Sequence, residues 1–425
     1  MGGHLLMSGT ERNRKVLLEG IKEGRLSIRE ASDRLGISYR QGKRIYRRFR
    51  LEGDAGLLHK GRGRPSNRAR PGVLRGKVLE RYRERYAGFG PTLAAEKLSG
   101  EGLPVDHETL RRWLIGAGLW TSRSPKVRHR TYRERRRRFG ELVQLDGSLH
   151  SWFGSDRPQT CLLNLVDDAT GTTRSLMTEH EGLQGAMRLL WRWVERYGIP
   201  TALYTDRHTI YHTDREPTLT EALAGEPPLT AFGKACRKLG IRIITAYSPQ
   251  AKGRVERKHG VFQDRFLKEL GLQAVRTIEE ANALLEAGFV DDLNRRFAVP
   301  PVDPRDAHRT LPPACDLARV FCRETERTVQ NDFTVRHRSR WYQITKKNRI
   351  LPKPKGKITV RELLDGTLEL WFGTHRLHVE ALPQRSAPVK PIQAPAEKKR
   401  PRPPRPASNH PWRQRIIAPR AAAAT

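Results

Sequence analysis

Three acids in the chain stand at points from which a protein can build a metal site. Asp146 closes the run Glu141-Leu-Val-Gln-Leu-Asp146, Asp206 closes Thr201-Ala-Leu-Tyr-Thr-Asp206, and Glu256 follows Tyr247-Ser-Pro-Gln-Ala-Lys-Gly-Arg-Val. The first two runs read as strands ending in an acid. The third reads as a helix with Ser248 as N-cap and Pro249 in its first turn. Carboxylates at neighbouring strand ends, with a helix packed across them, can meet at one point. Magnesium prefers such oxygens, and two ions about 4 Å apart support in-line phosphoryl displacement. Lys252, Arg254 and Lys258 flank Glu256 as candidate phosphate contacts. Residue types alone leave rivals open. Asp167, Asp168 and Asp264 lie in comparable places and read as hinge or surface acids; His208 and His259 read as polar surface histidines.

The elements around these acids repeat a pattern. Apolar runs over 141–146, 160–168, 173–178, 201–206 and 241–246 read as five strands. Amphipathic stretches near 185–197, 232–239 and 253–270 read as helices. The order βββ-α-β-α-β-α predicts a mixed five-stranded sheet with helices on both sides, over a domain spanning 139–298. The polar stretch 207–228 reads as an insertion.

Charge sets the partner class. The 425 residues carry 81 Lys+Arg against 46 Asp+Glu, a net charge of +35, which points to nucleic acid. No apolar run approaches the roughly 20 residues of a membrane span, and Met1–Arg12 shows no signal peptide, so a cytoplasmic, nucleoid-associated protein without a membrane partner is expected. The four cysteines are scattered, with no CxxC pair, which predicts free thiols rather than a disulfide framework or zinc knuckle.

The N-terminal third is all-α. Residues 11–58 predict a helix-turn-helix: Ser27-Ile-Arg-Glu30 and Ser38-Tyr-Arg-Gln41 are capping boxes, and Arg40, Lys43, Arg44, Arg47 and Arg48 face outward on the last helix to read a major groove. Residues 59–72 are a basic linker whose Arg62-Gly-Arg-Pro65 resembles an AT-hook, with Arg62 and Arg64 as minor-groove contacts. Residues 73–122 predict a second helix-turn-helix with Arg111 and Arg112 outward, and 123–138 a basic bridge that tracks phosphates. Short strands over 315–385 predict a small β-barrel, and 386–425 a disordered Pro/Arg-rich tail.

Gln144-Leu-Asp-Gly147, Tyr204-Thr-Asp-Arg207 and Tyr247 through Arg257 resemble the three catalytic blocks of retroviral-type integrases. From about residue 11 to about 385 the layout resembles bacterial insertion-sequence transposases of the ISNCY group, and Asp332–Ile344 resembles their C-terminal barrel. The resemblance implies an RNase H-like core with a DDE triad, falling on Asp146, Asp206 and Glu256, and two Mg2+ ions, with Mn2+ as a substitute. It also implies a homo-oligomer that binds the terminal inverted repeats of its element, cleaves the 3′ end and joins it to target double-stranded DNA. Two departures stand out: 50 positions separate Asp206 from Glu256, longer than in retroviral enzymes, and helix-turn-helix modules replace their zinc module. Two alternatives remain, a DNA-binding regulator without catalysis and a structure-specific RNase H-like nuclease.

Overall fold

The computed structural model describes residues 6–58, 61, 70–121, 134–223, 225–246, 253–383, 407, 410 and 411. The chain divides into two units, Met1–Arg128 and His129–Thr425. The expected contacts Arg62, Arg64 and Lys252, the caps Ser248 and Pro249, and nearly all of the tail lie outside the described residues.

In the first unit, helices α1 (Gly9–Lys22), α2 (Ile28–Arg34) and α3 (Tyr39–Glu52) pack around Leu18, Ile45, Phe49 and Leu57. Ser8 and Ser27 open α1 and α2 with capping boxes, and Ser38 caps α3 by accepting from the Gln41 N–H. Gly42 lets α3 approach α2: a Cβ there would collide with the Ser32 hydroxyl. Helices α4 (Gly72–Arg85), α5 (Pro91–Gly100) and α6 (His107–Gly116) follow, with Val78, Tyr82, Leu98, Leu110 and Leu114 buried. Asp106 caps α6 through the Glu108 and Thr109 N–H groups.

The second unit is built on five strands: β1 (Val143–His150), β2 (Thr160–Asp167), β3 (Thr173–Thr178), β4 (Ala202–Thr205) and β5 (Arg242–Thr245), in the order β3-β2-β1-β4-β5. The first three run antiparallel, and β4 and β5 are parallel to β1. This is the expected mixed sheet. β2 is buried along its whole length, and successive residues serve opposite layers. Leu163 and Leu165 pack under helices α7 (Leu183–Tyr197) and, beyond the short α8 (Leu219–Leu223), α9 (Ala231–Lys238). Leu162 packs under α10 (Gly253–Leu272), α11 (Ile278–Leu284) and α12 (Val290–Phe297). The edge of β3 is covered by two asparagines. Asn282 exchanges both amide groups with the Met177 backbone, and Asn294 does the same with Thr173.

One expected boundary moves. β1 does not end at Asp146 but continues to His150, because its ladder with β2 runs on to the pair His150↔Thr160. Pairing overrides the weak strand propensity of Gly147-Ser-Leu-His150.

Residues 303–309 strap the chain back onto the sheet before the C-terminal part begins. Asp303, Ala307 and Arg309 N–H groups donate to Arg137, Phe139 and Ile199 carbonyls, and the Arg309 side chain donates to those of Leu239 and Gly240. Helix α13 (Leu317–Val320) and Phe321 then enter the core of the sheet's α7 face.

The C-terminal strands do not form the closed barrel expected from sequence. β6 (Cys322–Thr328), β9 (Lys357–Leu363), β10 (Leu368–Phe372) and β11 (His375–Leu377) make one sheet. β7 (Thr334–His337), β8 (Arg340–Ile344) and β12 (Val379–Leu382) make a second. The chain switches sheets between β11 and β12 at His378, whose carbonyl accepts from Thr345. A barrel requires a ladder that closes on itself; here two open sheets face each other across Val335, Tyr342, Val360 and Leu370.

Candidate active site

The register of β1 and β4 brings the first two acids side by side. Val143 pairs with Leu203 and Gln144 with Tyr204, so two steps further Asp146 is level with Asp206, which directly follows β4. Asp206 Oδ1 accepts from the His208 N–H at 2.9 Å, an Asx-type turn that fixes one carboxylate oxygen.

A fourth acid joins them. Glu181, in the connection from β3 to α7, is pushed above its usual carboxylate range by burial, and further by the charges of Asp206 and Asp146. The Tyr211 hydroxyl donates to Glu181 Oε1 at 2.8 Å and pulls the other way. Tyr211 is itself buried among Phe232 and the α7 layer, so the polar stretch after Asp206 is anchored rather than a loose insertion. Glu181 Oε2 lies where a Cβ on Gly147 would stand, at 2.5 Å. The residue after Asp146 therefore has to be small.

Helix α10 lies across this end of the sheet. Val255, Phe262 and Phe266 are its buried face, and His259 Nδ1 lies 3.8 Å from Asp146 Oδ2 with a side chain 12% exposed. His259 thus stands beside Asp146 and is largely covered, unlike the surface histidine expected. Glu256, one turn before it, is exposed. Among the described residues no three His, Cys, Asp or Glu side chains stand at metal-binding spacing. Asp146 and Asp206 come together; Glu256 stands on the neighbouring helix turn.

Two of the cations near Glu256, Arg254 and Lys258, are turned inward, whereas Arg257 is exposed. Arg254 Nε donates to Asp168 Oδ1 at 2.8 Å, and Asp168 is fully buried. Lys258 is 7% exposed, its Nζ has no hydrogen-bond partner among the described residues, and burial lowers its pKa to about 8. Asp167 and Asp168 are not the hinge and surface acids expected. Asp167 accepts from the Gly140 and Thr170 N–H groups and the Thr170 hydroxyl, and Asp168 from the Arg136 N–H and the Gln144 amide. The loops at that end of the sheet turn around them.

Known proteins resemble this chain in part or over most of its length. Residues 14–66 match a helix-turn-helix domain family. A Sinorhizobium fredii protein named "Putative transposase y4bF" is 40% identical over 336 residues, 78% of this chain and 72% of the relative. The chain belongs to the insertion-sequence transposase family. The Streptococcus pneumoniae transposase for insertion sequence IS1202 is 26% identical over 95% of this chain and 93% of its own length. Among solved structures, the catalytic core domain of BIV integrase matches 35% of this chain and 82% of its own, at 22% identity and a TM-score of 0.25. The HTLV-2 integrase catalytic core in complex with magnesium matches 36% and 86%, at 16% identity and a TM-score of 0.26.

In this transposase the helix-turn-helix match makes DNA the partner class. On α3, Arg40, Lys43, Arg44 and Arg47 are exposed and Arg48 is half-buried, opposite the buried Ile45 and Phe49. Lys43 Nζ sits 4.6 Å from the centre of the Tyr39 ring. On α6 the arginines are engaged within the helix: Arg111 holds Glu108 through two bonds of 2.7 and 2.8 Å, and Arg112 reaches the same carboxylate at 3.2 Å. No described helix is long and apolar enough to cross a membrane.

Sequence reasoning missed Glu181, Tyr211 and the pairing of Arg254. A weak signal existed for Tyr211, an aromatic residue beside Ile210 within an otherwise polar stretch. Nothing local marks Glu181, which approaches β1 at Gly147 from the connection after β3.

Proposed function

We propose that the protein is a DDE transposase that cleaves the 3′ ends of its element and transfers them to target DNA. The observation that carries the reading is the β1–β4 register, which brings Asp146 level with Asp206 at one end of the sheet. The donor set fits a hard divalent cation. Asp146 and Asp206 are all-oxygen ligands, and their charges already disfavour ionisation of Glu181, a repulsion that a cation relieves. Asp146, Asp206 and Glu256 would hold magnesium, with manganese as a substitute. Bound there, it would activate the attacking oxygen and neutralise charge on the leaving one.

The rest is the work of the chain. The exposed cations of α3 grip the terminal inverted repeats, the His208 N–H and the His259 ring orient the two aspartates, and α10 carries Glu256 on the turn before His259. Water is the first attacking group and the freed 3′-hydroxyl the second, so no protein nucleophile is required. Two ends must meet for integration, which calls for a homo-oligomer on DNA.

The test is strand transfer on DNA carrying the inverted repeats that flank the gene, with Mg2+ or Mn2+. Wild type cleaves and joins; Asp146→Asn and Asp206→Asn bind the ends without cleaving. An Asp146→Asn variant as active as wild type would overturn the assignment. Cleavage of branched or hybrid substrates without any need for the repeats would mark a nuclease instead.

A further inference from the structure

Two buried polar side chains connect the strand that carries Asp146 to the helix that carries Glu256. Gln144, two residues before Asp146, and Asp168, just beyond β2, are both fully buried. An ionised carboxylate only accepts, whereas an amide has a donor end and an acceptor end. Gln144 Nε2 donates to Asp168 Oδ1 at 2.8 Å, which fixes the orientation of the amide. Its Oε1 is thereby turned toward α10, where it accepts from the Val255 N–H at 3.2 Å. Here the acceptor comes from the central strand. Arg254 Nε closes the arrangement on the same Asp168 oxygen at 2.8 Å, and the Arg136 N–H holds the other oxygen at 2.8 Å. Unpaired, these groups would be costly to bury; together they satisfy one another.

We infer that Gln144 and Asp168 are positioning residues that set the first turn of α10, and with it Glu256, against Asp146. Neither reaches the reacting atoms. Each acts through the backbone of Val255 or the side chain of Arg254, the two residues before Glu256. The inference rests on the reading of Glu256 as the third acid of the site.

The experiment uses the full-length protein with Gln144→Met, which keeps length and removes both polar ends, and Asp168→Asn, which keeps volume and removes the charge. Hydrogen exchange measured without metal should speed up about five- to tenfold in peptides covering 253–258 and stay unchanged over 262–272. With element-end DNA, the dissociation constant should stay within about twofold while kcat falls about a hundredfold. The Mg2+ concentration for half-maximal strand transfer should rise about tenfold, as for residues that orient ligands. Should Gln144→Met fail to fold, Asp168→Asn carries the test. Folded variants with wild-type exchange, kcat and Mg2+ midpoint would overturn the inference. Glu256→Gln separates the two readings. An active Glu256→Gln removes the triad assignment itself, whereas an inactive Glu256→Gln beside fully active Gln144 and Asp168 variants removes only the positioning role.

Discussion

Gly147→Ala is the sharpest probe of the site. The added Cβ would lie 2.5 Å from Glu181 Oε2, 3.0 Å from Glu181 Cδ and 2.9 Å from Cys161 Sγ. Ordinary contacts begin at about 3.5 Å, so Glu181 has to retreat by roughly 1 Å. It is not free to do so. Its other oxygen is held by the Tyr211 hydroxyl at 2.8 Å, and Tyr211 is 5% exposed. Cys161 is 1% exposed in the strand opposite, paired with Leu149. The alanine must therefore break the Tyr211–Glu181 bond or push β1 from β2. Overpacking of this kind costs about 1–3 kcal/mol, a loss of several degrees in melting temperature. A displacement of about 1 Å beside Asp146 should also lower strand transfer up to about a hundredfold, with element-end binding unchanged. Adding Glu181→Ala to Gly147→Ala removes the nearest atoms and should return part of the lost stability. Thermal unfolding in chelator and single-turnover strand transfer read the two effects. A Gly147→Ala variant that melts and transfers strands like wild type would refute the close approach of Glu181 to β1.

Other residues make separable predictions. Glu181→Gln should raise the melting temperature in metal-free buffer at neutral pH. The folded state binds the Glu181 proton more tightly than the unfolded chain, so wild-type stability falls as pH rises above the ordinary value of 4.5; the gain of the variant should vanish well below 4.5. Lys258→Met should stabilise the protein on the order of 2–3 kcal/mol at neutral pH. The folded pKa of about 8 lies below the ordinary 10.5, so wild type gains stability as pH rises from about 8 to 10.5 and the difference closes over that window in pH-dependent melts. Weakened DNA binding in Lys258→Met would instead show that this amine reaches a phosphate. Arg44→Ala and Arg47→Ala should each weaken element-end binding and reduce the slope of log K against log salt by about one, measured by titration at several salt concentrations.

What could be read from sequence was whatever depended on local pattern. The five strands, the layered helices and the capped helix-turn-helix follow from apolar periodicity and Ser/Asp caps, and Asp146 and Asp206 stood out because each is the acid after an apolar run. What escaped depends on pairing across the sheet. The end of β1 shifted because β2 supplies partners as far as Thr160. Glu181 and Tyr211 meet from positions 30 residues apart. Asp168 looked like a surface acid because its partners, Gln144 and Arg254, lie 24 and 86 residues away. The C-terminal strands were legible as strands, but which of them pair, and that the chain crosses between two sheets after β6, β8 and β11, is decided by long-range ladders.

The strap at 303–309 has a consequence for how the C-terminal sheets are seated. His308 is wedged against Phe139, Trp193 and Tyr197, and its Nε2 lies 3.1 Å from the Trp193 indole nitrogen. Gly140, Gly198 and Gly240 all have positive φ where His308 or Arg309 presses on them. Trp191 stacked on Phe321 and Lys238 bridging to Glu324 at 2.9 Å add contacts across the same junction. The C-terminal sheets are tied to the core on both sides of the strap, so lifting them away would expose Phe321 and Trp191 together and break the Lys238–Glu324 pair.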